Sequence, residues 1–332
     1  MHTPTVLIIG GSGFIGSHLV AKLAAIGARV IVPTRRYERA KHLISLPGVE
    51  VIEQSIGQHA VPDDGQIDIF TRLMHGVDAV INLVGVLHSR QGAPYGPDFA
   101  SAHVELPKRL VSACVAAGVP RYLHMSALGA ARDAPSMYLR SKADGELAAL
   151  SNPALAATIF RPSVVFGPED KFINLFASMQ KILPFVPLGG FDTRFQPVFV
   201  EDVAQAFVNA LLDPATKGKV VELAGPDIYT LGQIVALAGK YCGHPRPIIK
   251  LGSSLARLQA LLLEWAPGGP LMSRDNLDSM QVDNVIAPSS DALTLMDLGI
   301  RPSSLAAVAP RYIGSAGRGR ACFDDFRSRA KR

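Results

Sequence analysis

Two groups of residues in this chain have types and spacings suited to chemistry. Tyr138 and Lys142 stand four apart in the run SMYLRSKADGE. In a helix, positions i and i+4 share a face one turn apart, so a phenol and an ammonium would address one small volume. A phenol, with a pKa of about 10, is a poor acid–base group at neutral pH. A neighbouring ammonium favours the phenolate and draws that value toward the working range, which makes the pair a proton exchanger. The second group is the run GGSGFIG, where Gly10, Gly13 and Gly16 recur at every third residue. The first glycine permits a tight turn, the second lets backbone approach a pyrophosphate, and the third lets helix and strand pack closely. Phe14 and Ile15 would then open a helix whose free amides and dipole attract phosphate.

Both groups need elements to hold them. Thr5 to Ile9 (TVLII) reads as a strand buried on both sides, and Phe14 to Ile26 as the helix that follows. Strand before and helix after favour a dinucleotide site over an ordinary strand–turn–helix. The second strand, Arg29 to Pro33, runs into Thr34, Arg35 and Arg36. An acidic residue here would select NAD, whereas Arg suits a 2′-phosphate. NADP(H) is therefore favoured over NAD(H), against the alternative that Arg35 and Arg36 only start a solvated helix. Ser136 to Leu150 reads as the helix carrying Tyr138 and Lys142, just after a strand at Tyr122 to Met125.

Strand signals near Val30, Val51, Val80 and Leu123 alternate with helices, among them His103 to Ala117. This predicts an α/β fold with a Rossmann-type doubly wound parallel sheet. A strand at Ala157 to Phe160 delivers Pro162 and Ser163 to the carboxyl edge of the sheet, where such sheets bind ligands. Beyond Gly167 come a helix at Phe172 to Ile182, a strand at Phe195 to Val200, a helix at Glu201 to Leu212, a strand at Val220 to Leu223 and a helix at Leu231 to Tyr241. The expected division is a dinucleotide-binding domain over 1–165, to which 195–212 returns, and a smaller C-terminal substrate-side domain over 166–332. Leu255 to Trp265 (LARLQALLLEW) carries Leu255, Leu258, Leu262 and Trp265 on one stripe. The expectation is a core helix of the small domain; the sharper reading is a surface for lipid, a quinone tail or a membrane-bound partner, with Trp265 at its rim.

GGSGFIG, INLVGVLH (81–88), RYLHMSALGA (121–130), YLRSK (138–142), FRPSVVFGPED (160–170) and QPVFVEDVAQA (196–206) together resemble the short-chain dehydrogenase/reductase superfamily in its extended, atypical branch. HMSALGA with YLRSKADGE resembles, more narrowly, the subgroup around the nucleotide-binding accessory subunit of respiratory complex I and its bacterial relatives. The resemblance implies that Tyr138 exchanges a proton with a substrate oxygen while hydride moves to or from nicotinamide, and that Lys142 also holds the nicotinamide ribose. It places the family's third catalytic group, a Ser or Thr, at Ala127, which leaves Ser126 as the nearest hydroxyl. Asn82 matches the family's Asn at the end of the fourth strand, followed by Val84, and the backbone of Pro162 and Ser163 is expected at the nicotinamide end. The implied cofactor set is thus Gly10, Gly13, Phe14, Ile15, Gly16, Arg35, Arg36, Asn82, Val84, Lys142, Pro162 and Ser163. The family's adenine-contacting Asp has no counterpart near Ser55.

The implied activity is hydride transfer between a nicotinamide cofactor and a carbonyl, alcohol or quinone-related substrate, linked to respiratory or quinone metabolism. One alternative is a non-catalytic subunit or assembly factor that holds NADPH in a respiratory or quinone-synthesis complex; another is a sugar-nucleotide epimerase or dehydratase. With 332 residues, 48% hydrophobic and 18% charged, the chain is globular and long enough for a full core. The net charge of +5 is accompanied by a basic run after Arg311, read as a solvated terminus. No nucleic-acid fold signature accompanies it. Cys114, Cys242 and Cys322 have no metal-ligand spacing and suit a reducing compartment. The first apolar run is the first strand rather than a signal peptide, and no apolar run approaches the ~18 residues of a membrane span. The expected location is the cytoplasm, with a peripheral place at the inner membrane face or on a respiratory complex as the alternative.

Overall fold

The computed structural model describes residues 3–54, 69–264 and 272–313. Its backbone falls into two units: Met1–Pro162 with Glu201–Leu223 and Ser289–Ile300, and Ser163–Val200 with Ala224–Pro288 and Arg301–Arg332. Relative to the division read in the sequence, residues 163–165 and 195–200 lie with the second unit, and 213–223 and 289–300 with the first. Leu293 bridges to Val221, and its amide donates to the Val220 carbonyl (3.0 Å).

The first unit is built on a seven-stranded sheet. Its strands are β1 (Thr5–Ile9), β2 (Arg29–Thr34), β3 (Val49–Glu53), β4 (Ala79–Asn82), β5 (Arg121–Met125), β6 (Ala156–Pro162) and β11 (Val220–Leu223). They lie in the order β11-β6-β5-β4-β1-β2-β3 with every pairing parallel. The order in which the chain adds strands reverses between β1 and β4, the place where such sheets open a crevice for ligands. Every residue of β4 and β5 is buried, as a parallel sheet covered on both faces requires. The helices of this unit are α1 (Phe14–Ala25), α2 (Ile69–Leu73), α3 (Pro97–Phe99), α4 (Leu106–Ala117), α5 (Met137–Ala149) and α7 (Val200–Leu212). Leu110, Val111 and Cys114 of α4 join Phe70, Tyr122 and Ile159 in one core cluster. Where the sequence places a helix start at His103, the chain instead forms a π-helical turn, Ala100–Glu105, that feeds α4. Glu201 of α7 binds α1, with His18 Nδ1 at 2.5 Å and Lys22 Nζ at 2.9 Å. Burial raises the Glu201 carboxyl, but the bonds from His18 and Lys22 outweigh it and hold the pKa down at about 2.

The second unit holds β7 (Val165–Phe166), β8 (Val186–Leu188), β9 (Arg194–Phe195), β10 (Val198–Phe199), β12 (Tyr229–Thr230) and β13 (Ile248–Lys250), paired as two-stranded ladders. Its helices are α6 (Ile173–Ile182), α8 (Leu231–Cys242), α9 (Ser253–Glu264), α10 (Arg274–Ser279), α11 (Leu305–Val308) and α12 (Pro310–Ile313). α8 opens on a capping box between Thr230 and Gln233 and packs Ile234, Val235 and Ala238 into the core with Ile173 and Ala177 of α6. The expected core role of α9 is not what the structure shows. It buries Ala256 and Ala260 and turns Leu255, Leu258 and Leu262 outward. Trp265 and Cys322 lie outside the described residues. Cys114 and Cys242 are buried free thiols. No helix among the described residues is long and apolar enough to cross a membrane.

The start of α1 depends on a missing side chain. A Cβ at Gly16 would stand 2.3 Å from the Gly10 carbonyl oxygen and 2.7 Å from Gly11 backbone, whereas one at Gly13 would meet Gly10 oxygen at 3.2 Å. Gly16→Ala is therefore expected to cost about 1–3 kcal/mol of unfolding free energy by overpacking rigid backbone, and Gly13→Ala clearly less. Urea denaturation of the two variants checks this; equal losses would overturn the packing account.

Candidate functional site

The glycine turn of the first unit is made of main chain. Gly10 sits at φ +89°, a region open chiefly to glycine. The Gly13 amide closes the turn on the Gly10 carbonyl at 3.0 Å. Gly13 then caps α1 without a side-chain bond, and the amides of Phe14, Ile15 and Gly16 have no partner among the described residues. These are donors at a helix N-terminus, the arrangement that receives phosphate oxygens.

The loop after β4 links this turn to the Tyr–Lys pair. A Cβ at Gly10 would meet Leu83 carbon and Val84 nitrogen at 3.3–3.4 Å, and a Cβ at Gly85 would meet Lys142 Nζ at 3.2 Å. Asn82 shapes the start of the loop: its Oδ1 accepts from the Val84 amide (3.1 Å) and its Nδ2 lies 3.3 Å from His124 Nδ1. The structure thus brings Gly10, Gly13, Phe14, Ile15, Gly16, Asn82, Val84 and Lys142 into one neighbourhood.

α5 presents the pair. Ser136 caps it, its hydroxyl accepting from the Leu139 amide at 3.2 Å. Lys142 is buried, and its Nζ donates to the Met125 carbonyl at 3.2 Å. Burial lowers its pKa to about 8, while Glu146 one turn on works in the opposite direction. Glu146 is itself gripped by Arg161, with bonds of 2.8 and 2.6 Å from Nε and one terminal nitrogen. Tyr138 is half-buried, with its ring centroid 5.9 Å from Lys142 Nζ. Its phenol is pushed up to about 12 by burial. In the protein alone, then, loss of hydration outweighs an ammonium at that distance, contrary to the depression expected from the sequence.

Two histidines to which the sequence gave no role complete the surroundings. His103, in the π-helical turn, accepts from the Val86 amide at Nε2 (3.0 Å) and faces Ser141 Oγ at Nδ1 (2.8 Å). The amide bond assigns the proton to Nδ1, which donates to Ser141, and Ser141 in turn donates to the Tyr138 carbonyl at 2.7 Å. The His103 ring meets the Tyr138 ring edge-on at 5.6 Å between centroids and stacks on Phe99. Burial first, then Lys142, then His124, lowers the His103 pKa to about 2. Burial first, then Lys142, likewise lowers the His124 pKa to about 3. The one signal that could have exposed them is a polar ring inside otherwise apolar stretches.

The remaining predicted residues have different surroundings. Ser126 follows β5, and its buried Oγ has no hydrogen-bond partner among the described residues. Ala127 beside it is buried and offers no donor. Arg35 and Arg36 are exposed past the end of β2, and neither guanidinium is bonded within the described residues. Pro162 ends β6, where its carbonyl accepts from the Leu128 amide at 2.9 Å. Ser163 opens the second unit, where its hydroxyl donates to Asn284 Oδ1 (2.6 Å). Asn284 Oδ1 also receives the Val164 amide at 3.0 Å, a role the sequence did not disclose. The stretch around Ser55 lies outside the described residues.

Lys142 makes the site legible in stability. Below pH 8 its ammonium is charged in both folded and unfolded chains; between about 8 and the ordinary 10.5 only the unfolded chain keeps the proton. Stability from this residue therefore rises with pH across that window, by at most about 1.4 kcal/mol per pH unit. Lys142→Met is expected to remove that rise, as read from urea denaturation of both proteins at pH 7.5 and 9.5. Parallel pH dependences would contradict it.

Known proteins are similar to this chain in sequence and fold. The model of the NAD dependent epimerase/dehydratase family matches residues 6–232. The chain is 32% identical over 311 residues to NADH dehydrogenase (ubiquinone) 1 alpha subcomplex subunit 9, mitochondrial, of Arabidopsis thaliana, covering 90% of this chain and 74% of that protein. It is 30% identical over 252 residues to ceramide reductase of Caulobacter vibrioides, covering 74% of this chain and 73% of that one. Among solved structures, the dTDP-glucose 4,6-dehydratase DesIV of Streptomyces venezuelae, with NAD and TYD bound, superposes at TM-score 0.70 and 21% identity, over 93% of this chain and 95% of that one. UDP-glucuronic acid 4-epimerase of Bacillus cereus, in complex with UDP-glucuronic acid and NAD, superposes at 0.63 and 19%, over 93% and 98%. At those identities the structures speak for a shared fold.

Proposed function

The chain belongs to the NAD-dependent epimerase/dehydratase family, and from that premise we propose that it is an NADP(H)-binding oxidoreductase acting through Tyr138 and Lys142. The observation that carries the reading is the continuity from the glycine turn at Gly10, through Leu83, Val84 and Gly85, to Lys142 Nζ. The unpaired amides of Phe14, Ile15 and Gly16 would take the pyrophosphate, and Lys142 the nicotinamide ribose. When bound, the nicotinamide supplies or accepts hydride. Tyr138 then gives a proton to, or takes one from, the oxygen of a carbonyl, alcohol or quinone-related substrate at its phenolic oxygen. Ser126, next to Ala127 in the chain and with its Oγ unpaired among the described residues, would supply the hydroxyl to that oxygen, since Ala127 cannot donate. Arg35 and Arg36 would receive a 2′-phosphate, which favours NADP(H) over NAD(H).

A second reading rests on Ala127 and on the similarity to an NADH dehydrogenase subunit: the chain holds NADPH structurally, as a subunit or assembly factor of a respiratory or quinone-synthesis complex. A third, a sugar-nucleotide epimerase or dehydratase, is supported by the solved structures at the level of fold.

Calorimetric titration with each cofactor tests the preference. NADPH is expected to bind at least about tenfold more tightly than NADH, and Arg35→Gln with Arg36→Gln to erase the difference; tighter NADH binding would reverse the assignment. Chemistry is tested with Tyr138→Phe. Turnover of any carbonyl or quinone that the wild type accepts is expected to fall by about 10²–10⁴, with NADPH affinity changed less than about threefold. Bound NADPH that no such panel oxidises would move the conclusion to the structural role.

A further inference from the structure

We propose that His103 is a positioning residue for the nicotinamide end of the ligand: one neutral imidazole, with its proton on Nδ1, locks the loop after β4 to the helix that bears Tyr138 and Lys142. The proposal rests on the dinucleotide reading of the glycine turn and deepens it. His103 lies in the π-helical turn Ala100–Glu105, a local widening of the kind that recurs at functional sites. Its carbonyl abuts α5 so closely that a Cβ at Gly145 would come within 2.3 Å of it. The residue is 1% exposed. A polar ring so buried is costly unless its nitrogens are bonded. Here both are, and they reach different elements: Nε2 accepts from the Val86 amide at 3.0 Å, and Nδ1 donates to Ser141 Oγ at 2.8 Å.

The loop is a surface segment that needs such a tie. Gly85 and Leu87 are exposed, whereas Val84 and Val86 are half-buried. Each of these valines has its amide held by a buried side chain, Val84 by Asn82 Oδ1 at 3.1 Å and Val86 by His103 Nε2. Gly85, between them, is thereby fixed beside the amine. A Cβ on it would meet Lys142 Nζ at 3.2 Å and His103 Nε2 at 3.7 Å. On the other side of the ring, Ser141 donates to the Tyr138 carbonyl at 2.7 Å, and the rings of His103 and Tyr138 meet edge-on. Loop, phenol and amine are registered through one side chain. A charged imidazole could not serve, because a proton on Nε2 would oppose the Val86 amide. Burial first, then Lys142 and His124, keep the ring neutral. An apolar side chain of the same size would fill the space but make neither bond, leaving the loop packed without a register.

Two replacements divide the ring. Gln carries an oxygen near the place of Nε2 and can still accept from Val86. Asn carries its amide near the place of Nδ1 and can still donate to Ser141, but it leaves the loop untied. The full-length protein is titrated calorimetrically with NADPH and with 2′-phospho-ADP-ribose, which lacks the nicotinamide. His103→Asn is expected to weaken NADPH binding at least about tenfold and 2′-phospho-ADP-ribose binding less than about threefold, and His103→Gln to stay within about threefold of wild type for both. Equal weakening of the two ligands by His103→Asn, or no rescue by His103→Gln, overturns the proposal. A second measurement needs no variant to fold and no cofactor to bind. Nitrogen NMR of the histidine-labelled wild type is expected to show a ring that carries its proton on Nδ1 rather than Nε2. Wild type that binds NADPH without that signal overturns the positioning role alone. Wild type that shows the signal but binds neither NADPH nor NADH overturns the dinucleotide reading, and the role with it.

Discussion

A buried ammonium organises the first unit. Lys142 is 3% exposed and, among the described residues, donates to a single carbonyl, that of Met125. Taking such a charge out of water is costly, and its lowered pKa records that cost. The neighbours are consistent with it. His103 and His124 are held neutral, because a further positive charge beside Lys142 would raise the cost. The residue over the amine is Gly85, where a side chain would press on it at 3.2 Å. The carboxylate that acts on it, Glu146, is held by Arg161 rather than by the lysine. An amine poised this way has donors to spare for a ligand and gains hydrogen bonds when one arrives.

The sheet, the glycine turn and the helix bearing Tyr138 and Lys142 were legible because each rests on local pattern. Buried parallel strands read as apolar runs, a glycine turn reads as spacing, and an i, i+4 pair reads as one helical face. What escaped notice depends on partners far along the chain. His103 acts through Ser141, 38 residues on, and Ser163 through Asn284, 121 residues on. No spacing rule connects such residues. The phenol of Tyr138 was misjudged for a related reason: the sequence shows which charge is near, but not how little water remains. The leucines of α9 were expected in a core because apolar periodicity marks a face without saying which side is covered. Here alanines make the packed side, and their small size lets the helix lie close to Gly189.

The two units carry different kinds of information. The first has the parallel sheet and the glycine turn, and the family match from residue 6 to 232 spans most of it together with the opening of the second. The second is assembled from short ladders around α6 and α8, with polar ties such as Gln180 to the Val235 carbonyl (2.7 Å) locking its core. A lineage that keeps one sheet and its glycine turn and rebuilds the other half can change what it does without rebuilding the shared platform.

The donors at the start of α1 belong to peptide groups, not to side chains. Such a receptor is blind to most mutation: any residue except one that clashes or lacks an amide presents the same hydrogen. Structures sharing only about a fifth of their residues with this chain keep the same fold. Under the proposed function, discrimination among ligands would reside in what mutation can rewrite, the guanidinium rim beyond β2 and the hydroxyls and rings beside Lys142. The platform is inherited while its borders diverge, and in the borders lies the individuality of each descendant.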